Sequence, residues 1–279
     1  MPEVASISGA ALVDVSSVDE VVKADIASFS GIDFPSSVPP IITTGLIQHY
    51  DISDSSSYPG TGTALTDLST QGVDGVLQNG VGYSSSDGGY LTFDGTNDYI
   101  SVSFANAAPL RITTAELASD GLTVQMWVKP VLTYNRGVWT SNRGYPDTNY
   151  QGIQAQLQAS GGMTSHVFDG SGAGPSDRRT VSSGAGEVTA NIWQLVTWAL
   201  IGNDGSSYAF YNNATAVTIS SISGTATTVG YDLTNQGSMG QAATAFYTGD
   251  IGGLMVYDYQ LTAAEVTTNF NATKARYGL

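Results

Sequence analysis

The 279-residue chain is sparsely charged yet strongly acidic: 12% of its residues are charged, and the formal net charge at pH 7 is −15. This balance repels phosphate backbones and anionic lipid headgroups, which argues against nucleic acid and membrane surfaces as partners. The chain has no cysteine, which excludes a disulfide framework, a thiol nucleophile and a thiolate metal site.

The first 34 residues contain a repeat with a period of 11 residues. Residues 7–17 (ISGAALVDVSS) align with 18–28 (VDEVVKADIAS), and 29–34 (FSGIDF) begin a third copy. So few copies cannot bury a core alone. We therefore predict an attachment or oligomerisation segment, ordered only against other chains, with a trimeric stalk as the first choice by analogy with fibres. A right-handed helical coil and a disordered leader are the alternatives. The apolar stripe consists of Val15, Val18, Val21, Ile26, Phe29 and Ile32.

Residues 35–40 contain three prolines and predict an extended linker, because proline lacks a backbone donor and fixes φ. We therefore place the main domain at 41–279. The N-terminus lacks the basic region of a signal peptide, since its first basic residue is Lys23. No apolar run approaches the ~20 residues that span a bilayer. These features predict a protein made in a cytoplasm.

From residue 41 onward, short segments separated by turn residues predict a sandwich or barrel of strands. Val124 and Met126 alternate with Gln125 and Trp127, which predicts one buried and one wetter face. Residues 113–119 predict a helical turn, and a capping box at 262–265 begins a predicted closing helix over 262–276. The predicted strands are 46–52, 90–94, 98–104, 122–129, 136–140, 151–158, 164–168, 192–201, 207–212, 216–222, 236–241 and 246–258.

Several stretches of the chain resemble laminin-G-like, concanavalin A-like jelly rolls. They are GLIQHYDISDSSSYPGTGTALTDLS (45–69), GYLTFDGTNDYISV (89–102), LTVQMWVKP (122–130), IWQLVTWALIGNDGSSYAFYNN (192–213) and GDIGGLMVYDYQLTAAEVTTNFNATKARYGL (249–279). The resemblance covers residues 45–279 and implies an all-β, antiparallel jelly-roll sandwich with a short C-terminal helix. The segments SYPGTGT and NFNATKARYG and the ISG repeat are similar to sequences found with this domain in tailed-bacteriophage virion proteins.

Catalytic patterns are missing from the sequence. Retaining glycosidases of this sandwich type place two carboxylates about 5–5.5 Å apart, in the family as E-x-D-x-E or a near variant on one strand. No G-x-S-x-G elbow or H-E-x-x-H helix is present, and we interpret His49 and His166 as structural. We predict a non-enzymatic protein, with an aspartate pair assembled by folding as the alternative. The glutamates stand far apart, at Glu3, Glu20, Glu116, Glu187 and Glu265.

A calcium site is implied by the resemblance. Sandwiches of this type often hold Ca²⁺ where the first strand, a turn and the last strand meet, and calcium takes oxygen ligands. Matching the motifs gives Asp51 in HYDIS, Asn97 and Asp98 in GTNDY, and Asp250 in GDIGG. The alternative is that Asn97 and Asp98 cap the turn while Asp51 faces solvent.

The loop WTSNRGYPDTNY (139–150) predicts a glycan-binding site, because sugars require an exposed aromatic platform beside amides and carboxylates. Arg178 and Arg179 approach this loop if the strands pair sequentially. The tryptophans at Trp127, Trp193 and Trp198 have apolar neighbours and are predicted to be core. The predicted glycan-binding residues are Trp139, Asn142, Arg143, Tyr145, Asp147 and Tyr150.

Taken with the resemblance, the sequence favours a phage virion protein, a capsid decoration or fibre-type component that displays a lectin-like domain. Its expected partners are other virion proteins, further copies of itself and a cell-surface glycan. The alternatives are a free-standing carbohydrate-binding lectin module and a glycoside hydrolase of the same fold, since this fold serves several functions.

Overall fold

The computed structural model of the protein describes residues 28–29, 32–33, 40–103, 105–142, 151–172, 177–231, 237–242 and 245–279. The chain forms two compact units that divide between Pro40 and Ile41. In the first unit, strands β1 (Ser28–Phe29) and β2 (Ile32–Asp33) pair in antiparallel fashion. The division of the chain into an attachment segment, a linker and a domain stays a prediction.

The described part of the second unit consists of many short strands, two short α-helices and three 3-10 helices. The helices are α1 (Thr114–Ser119) and α2 (Ala263–Thr273), and the 3-10 helices are Ser86–Gly88, Ala108–Leu110 and Lys274–Tyr277. The strands are β3 (Leu46–Asp51), β4 (Ala64–Leu65), β5 (Gly75–Gln78), β6 (Gly82–Ser84), β7 (Tyr90–Asp94), β8 (Tyr99–Val102), β9 (Leu122–Pro130), β10 (Arg136–Thr140), β11 (Gln151–Leu157), β12 (Met163–Asp169), β13 (Arg178–Ser183), β14 (Gln194–Leu200), β15 (Ala209–Asn212), β16 (Thr215–Val217), β17 (Ile219–Gly224), β18 (Gly237–Met239), β19 (Gln241–Ala242), β20 (Ala245–Phe246) and β21 (Thr248–Tyr257).

Two antiparallel sheets form the sandwich. The eight-stranded sheet has the order β16-β15-β14-β9-β21-β7-β6, and β3 pairs with β21. The nine-stranded sheet has the order β17-β13-β12-β11-β10-β18-β8-β5-β4. The predicted antiparallel jelly-roll fold is therefore confirmed. The predicted strand 216–222 is instead the two strands β16 and β17, and β4, β5, β6 and β13 were not predicted.

The main core lies between the two sheets and takes alternate residues from each strand. In β9, Val124 and Met126 point into this core, opposite residues such as Ile153 and Val167 of the nine-stranded sheet. Trp198 of β14 is fully buried in the same core. The apolar alternation that predicted these strands is thus the pattern that fills the sandwich.

The outer face of β9 is not the wetter face that the alternation predicted. Gln125 and Trp127 are at most 1% exposed, because helix α2 and the segment that follows it cover this face. Trp127 stacks on Phe270 of the helix, and its Nε1 donates to Thr273 Oγ1 at 2.9 Å. A second, smaller apolar cluster therefore lies outside the eight-stranded sheet.

Helix α2 begins as its sequence predicts. The Thr262 hydroxyl accepts from the Glu265 backbone N–H at 3.3 Å, and the Glu265 carboxylate accepts from the Thr262 N–H at 2.8 Å. This capping box satisfies two donors that a helix start leaves open. None of the helices in the described part of the chain is long and apolar enough to cross a membrane.

His166 lies on the outer face of β12 in a neutral hydrogen-bonded state. Its Nε2 lies 3.3 Å from Gln156 Oε1, which can only accept, so Nε2 carries the proton. Its Nδ1, 2.9 Å from Thr180 Oγ1, is then an acceptor. Burial lowers the pKa of His166 to about 4, and Arg178 adds to this effect. The predicted structural role of this histidine fits these contacts.

We predict that His166 makes the fold sensitive to mild acid. Its native pKa lies below the usual value of about 6.5, so between these values the unfolded chain binds a proton that the native protein does not. The contribution of neutral His166 to the free energy of unfolding is complete above about pH 6.5. It falls by up to roughly 3 kcal/mol as the pH is lowered towards 4. Urea unfolding of wild type and His166→Gln across this range should show a flatter profile for the variant. Parallel profiles would contradict this account.

Candidate functional site

A cleft of about 510 Å³ opens on the helix-covered side of the eight-stranded sheet. Its walls come from the end of β9, the approach to β14, the β15–β16 turn and the C-terminal residues. This volume lies within the ~300–1,000 Å³ of typical small-ligand sites. We call it the Trp193 cleft, defined by Lys129, Ile192, Trp193, Asn212, Tyr277 and Leu279.

The ring of Trp193 is held in a fixed orientation at this cleft. Its Nε1 donates to Asp87 Oδ2 at 2.9 Å. Its ring centroid lies 5.4 Å from that of Tyr90 and 4.8 Å from that of Tyr277. The ring is 8% exposed, while the neighbouring Ile192 is 51% exposed. Trp193 is thus a buried member of the outer apolar cluster, as predicted, and the exposed apolar side chains at the cleft are those of Ile192 and Leu279.

Asn212 supplies a buried acceptor at the cleft wall. Its Nδ2 donates to the Glu187 carbonyl at 2.6 Å and to Gln194 Oε1 at 2.8 Å, which fixes the side-chain amide. Its Oδ1 is buried and accepts no hydrogen bond from the described residues. A buried polar atom left unpaired costs about 1–3 kcal/mol. The oxygen has almost no accessible surface, so a ligand hydroxyl would reach it after a shift of the neighbouring side chains and would then remove that cost.

Turns with left-handed backbone lie near Trp193. Five non-glycine residues in the described part of the chain have positive φ, and four of them surround this ring: Asp87 (49°), Asn191 (61°), Asn213 (48°) and Ala214 (62°). Asn213 Oδ1 accepts from the Leu195 N–H at 2.9 Å and so holds the β15–β16 turn. Positive φ at both Asn213 and Ala214 is what a two-residue hairpin turn requires, so it shapes the β15–β16 turn at the cleft wall.

Charges near the cleft favour a neutral ligand. Lys129 Nζ lies 5.9 Å from the Trp193 ring centroid and 4.0 Å from Asp250 Oδ2. Burial raises the pKa of the Asp250 carboxyl; Lys129 opposes this rise and Asp87 adds to it. One ammonium is therefore accompanied by two carboxylates, and an anionic ligand would meet a net negative surrounding. None of the described residues that line the cleft is itself an aspartate or a glutamate.

The structure does not bring the predicted calcium ligands together. Asp51 is paired with Arg276 and accepts from Ser53 Oγ at 2.7 Å; burial raises its pKa, but Arg276 and Ser53 outweigh burial and lower it. Asp98 accepts from the Asp94 N–H at 3.1 Å. Among the described residues, no group of three or more histidine and carboxylate side chains could hold a metal ion. The grouping of the predicted set is therefore corrected, with Asn97 in the 94–98 turn and Asp250 beside Lys129, while calcium binding itself stays a prediction.

The predicted glycan platform at Trp139 is also corrected. Trp139 is 1% exposed and lies in the main core, where its Nε1 donates to Gln48 Oε1 at 3.1 Å. A ring buried in this way cannot stack on a sugar. Asn142 is only 2% exposed. The remaining predicted residues, Arg143, Tyr145, Asp147 and Tyr150, lie outside the described residues.

Sequential pairing of β11, β12 and β13 is observed, with Phe168 opposite Arg178 and Val167 opposite Arg179. This confirms the sequential strand order that was assumed in predicting the position of Arg178 and Arg179. Of the predicted attachment stripe, only the backbone of Phe29 and Ile32 is described. Val15, Val18, Val21 and Ile26 lie outside the described residues.

A family model described as the concanavalin A-like lectin/glucanases superfamily matches residues 94–267 of this chain. No curated protein matches the sequence.

Solved structures share the fold at low sequence identity. Domain 4 of AbnA, a GH43 extracellular arabinanase from Geobacillus stearothermophilus solved with arabinotriose, is 16% identical with a TM-score of 0.50, over 81% of this chain and 98% of that one. The botulinum neurotoxin serotype G binding domain is 12% identical with a TM-score of 0.56, over 81% of this chain and 50% of that one. Trypanosoma rangeli sialidase is 11% identical with a TM-score of 0.53, over 85% and 34% respectively. The chain thus spans half or less of the two longer proteins.

The scattered positions of the predicted calcium ligands generate a prediction. A ligand that binds only the native state stabilises it by mass action, by about 2.7 kcal/mol at a hundredfold excess over Kd. Because Asp51 is already paired with Arg276, we expect the same melting temperature in EDTA and in millimolar calcium. A rise on adding calcium that disappears in Asp250→Asn and Asn97→Ala would restore the predicted ligand set.

Proposed function

Because the chain belongs to the concanavalin A-like lectin/glucanase superfamily, we propose that its sandwich is a non-catalytic carbohydrate-binding domain. The ligand is a neutral saccharide unit held in the Trp193 cleft. Its apolar face lies against Ile192 and the Trp193 edge, and one hydroxyl donates to Asn212 Oδ1.

One observation carries this proposal: the same cleft is lined by Trp193, whose ring is fixed by Asp87, and by Asn212, whose buried Oδ1 accepts no hydrogen bond from the described residues. Sugars present a C–H face and a rim of hydroxyls, and an apolar surface beside a few placed polar groups suits both. The arabinanase domain was solved in complex with arabinotriose, so a saccharide ligand has a precedent on this fold.

The described residues that line the cleft include no aspartate or glutamate side chain, which supports binding without hydrolysis. Glycosidases require two carboxyl groups flanking the scissile bond. The nearby Asp87 accepts from the Trp193 indole, and Asp250 lies beside Lys129. Neither of them lines the cleft. Release of reducing ends from a bound oligosaccharide would favour the glycoside hydrolase instead.

We predict that Ile192→Asp weakens saccharide binding about tenfold or more, equivalent to about 1.4 kcal/mol. The substitution removes an apolar contact and adds a third carboxylate to the cleft region. Neutral oligosaccharides selected on a glycan array would be titrated into the full chain by calorimetry.

Val76→Asp is the matched control, because Val76 is similarly exposed, at 44% against 51%, and lies on β5 in the other sheet. Equal affinity of wild type and Ile192→Asp, or an equal loss in the control, would contradict the cleft as the site.

We further propose that residues 1–34 attach this domain to a phage virion assembled in the host cytoplasm, as a decoration or fibre-type component. Support comes from the repeat, from the resemblance to virion proteins, and from the division of the chain into two units between Pro40 and Ile41. Partners would be other virion proteins and further copies of the chain, with a trimer preferred.

If residues 1–34 attach the domain to an assembly, replacing both Val18 and Phe29 with aspartate should have a specific effect. The double variant should lose its assembly, measured by light scattering and by incorporation into virions, while the melt of the sandwich is unchanged. The corresponding substitutions Ser17→Asp and Ser30→Asp, beside the stripe, serve as controls. An unchanged assembly in the double variant would leave the free-standing lectin module as the surviving alternative.

A further inference from the structure

Strand β17 is an open edge of the nine-stranded sheet. It pairs with β13 on one side, and β13 is its only strand partner among the described residues. None of the described backbone hydrogen bonds outside the strand ladders involves residues 219–224. Four consecutive residues, from Ser220 to Ser223, are exposed, and Ile222 is 44% exposed. The Gly224 carbonyl accepts from the Arg179 guanidinium, and the remaining backbone donors and acceptors face outward along this edge.

The edge lacks the usual protection against pairing. Natural proteins shield edge strands with charged side chains, prolines or extreme shortness. Residues 215–229 (TAVTISSISGTATTV) contain no charged residue and no proline. Among the other edge strands, β4 has two residues and β6 and β16 have three each, whereas β17 has six. Strand β3 also has six residues and one strand partner, but its free edge is bonded by the loop that follows it, with the His49 N–H donating to Asp67 Oδ1 and the His49 carbonyl accepting from the Leu68 N–H. The one ladder irregularity of β17 lies beside Ser183, which leaves Ser221 to Gly224 in regular register.

We propose that β17 pairs in antiparallel fashion with β17 of a second copy of this chain. Identical antiparallel strands can pair about a twofold axis, so one edge completes the other. The net charge of −15 opposes the approach of two copies, and an uncharged run is where that repulsion is weakest. Pairing also places the exposed Ile222 against the facing copy.

This interface is small. One strand pair contributes only part of the roughly 800 Å² per partner that stable complexes bury. The association is therefore expected to depend on protein concentration. It does not rest on saccharide binding, because β17 lies in the sheet opposite the one that forms the Trp193 cleft. Failure of either proposal leaves the other unchanged.

The test compares the mass of the full chain by light scattering across a concentration series for wild type, Ile222→Lys and Ser223→Lys. Val76→Lys is the matched control, because Val76 is also 44% exposed but lies on β5, which has a partner on both sides. At high protein concentration, we expect the mass of both β17 variants to be half that of the wild type and the mass of the control to be unchanged. This ratio holds whatever oligomer is formed through residues 1–34.

Hydrogen exchange of the same samples provides the second readout. In the wild type, exchange of the 219–224 amides should slow as protein concentration rises, and this dependence should vanish in Ile222→Lys. Any of three results would overturn the proposal. These are equal masses for wild type and both β17 variants, an equal mass loss in Val76→Lys, and exchange at 219–224 that does not depend on protein concentration.

Discussion

The buried amide of Asn269 is the interaction on which the outer side of the eight-stranded sheet depends. Its Nδ2 donates to Gln125 Oε1 at 2.6 Å and to Tyr257 Oη at 2.9 Å, and its Oδ1 accepts from the Ile42 N–H at 2.8 Å. One fully buried side chain thus ties helix α2 to two strands and to the start of the domain. Without Asn269, Gln125 Oε1 would be buried without this donor, at a cost of about 1–3 kcal/mol, whereas Tyr257 Oη would keep its hydrogen bond to the Ile42 carbonyl.

The position of helix α2 also determines one wall of the Trp193 cleft. The segment after α2 brings Tyr277 to 4.1 Å from the Trp127 ring and 4.8 Å from the Trp193 ring, measured between centroids. Arg276, paired with Asp51 of β3, holds that segment against the sheet. The ring of Trp193 therefore forms part of a wall made by four separate stretches of chain. A binding surface assembled from rigid elements loses little freedom when a ligand is bound.

The sequence predicted the fold well where apolar residues alternate. The strands at 90–94 and 136–140 have the predicted bounds, whereas β13 was missed because Val181 is its single large apolar residue. The site was harder to predict. Trp193 has apolar neighbours in sequence, and its place at a cleft depends on Asp87, 106 residues away. Trp139 was predicted to be exposed, yet its indole N–H reaches Gln48, 91 residues away. Local pattern carries no information about such contacts.

The central claim is that a saccharide contacts the edge of Trp193, and the indole N–H of that residue reports on it directly. In protein labelled with nitrogen-15, titration with a neutral oligosaccharide should shift the Trp193 indole resonance, because its hydrogen bond to Asp87 lies at the cleft. The Trp198 indole, fully buried in the main core, should remain unmoved. Calorimetric binding without a shift at Trp193, or with equal shifts at both indoles, would contradict the account.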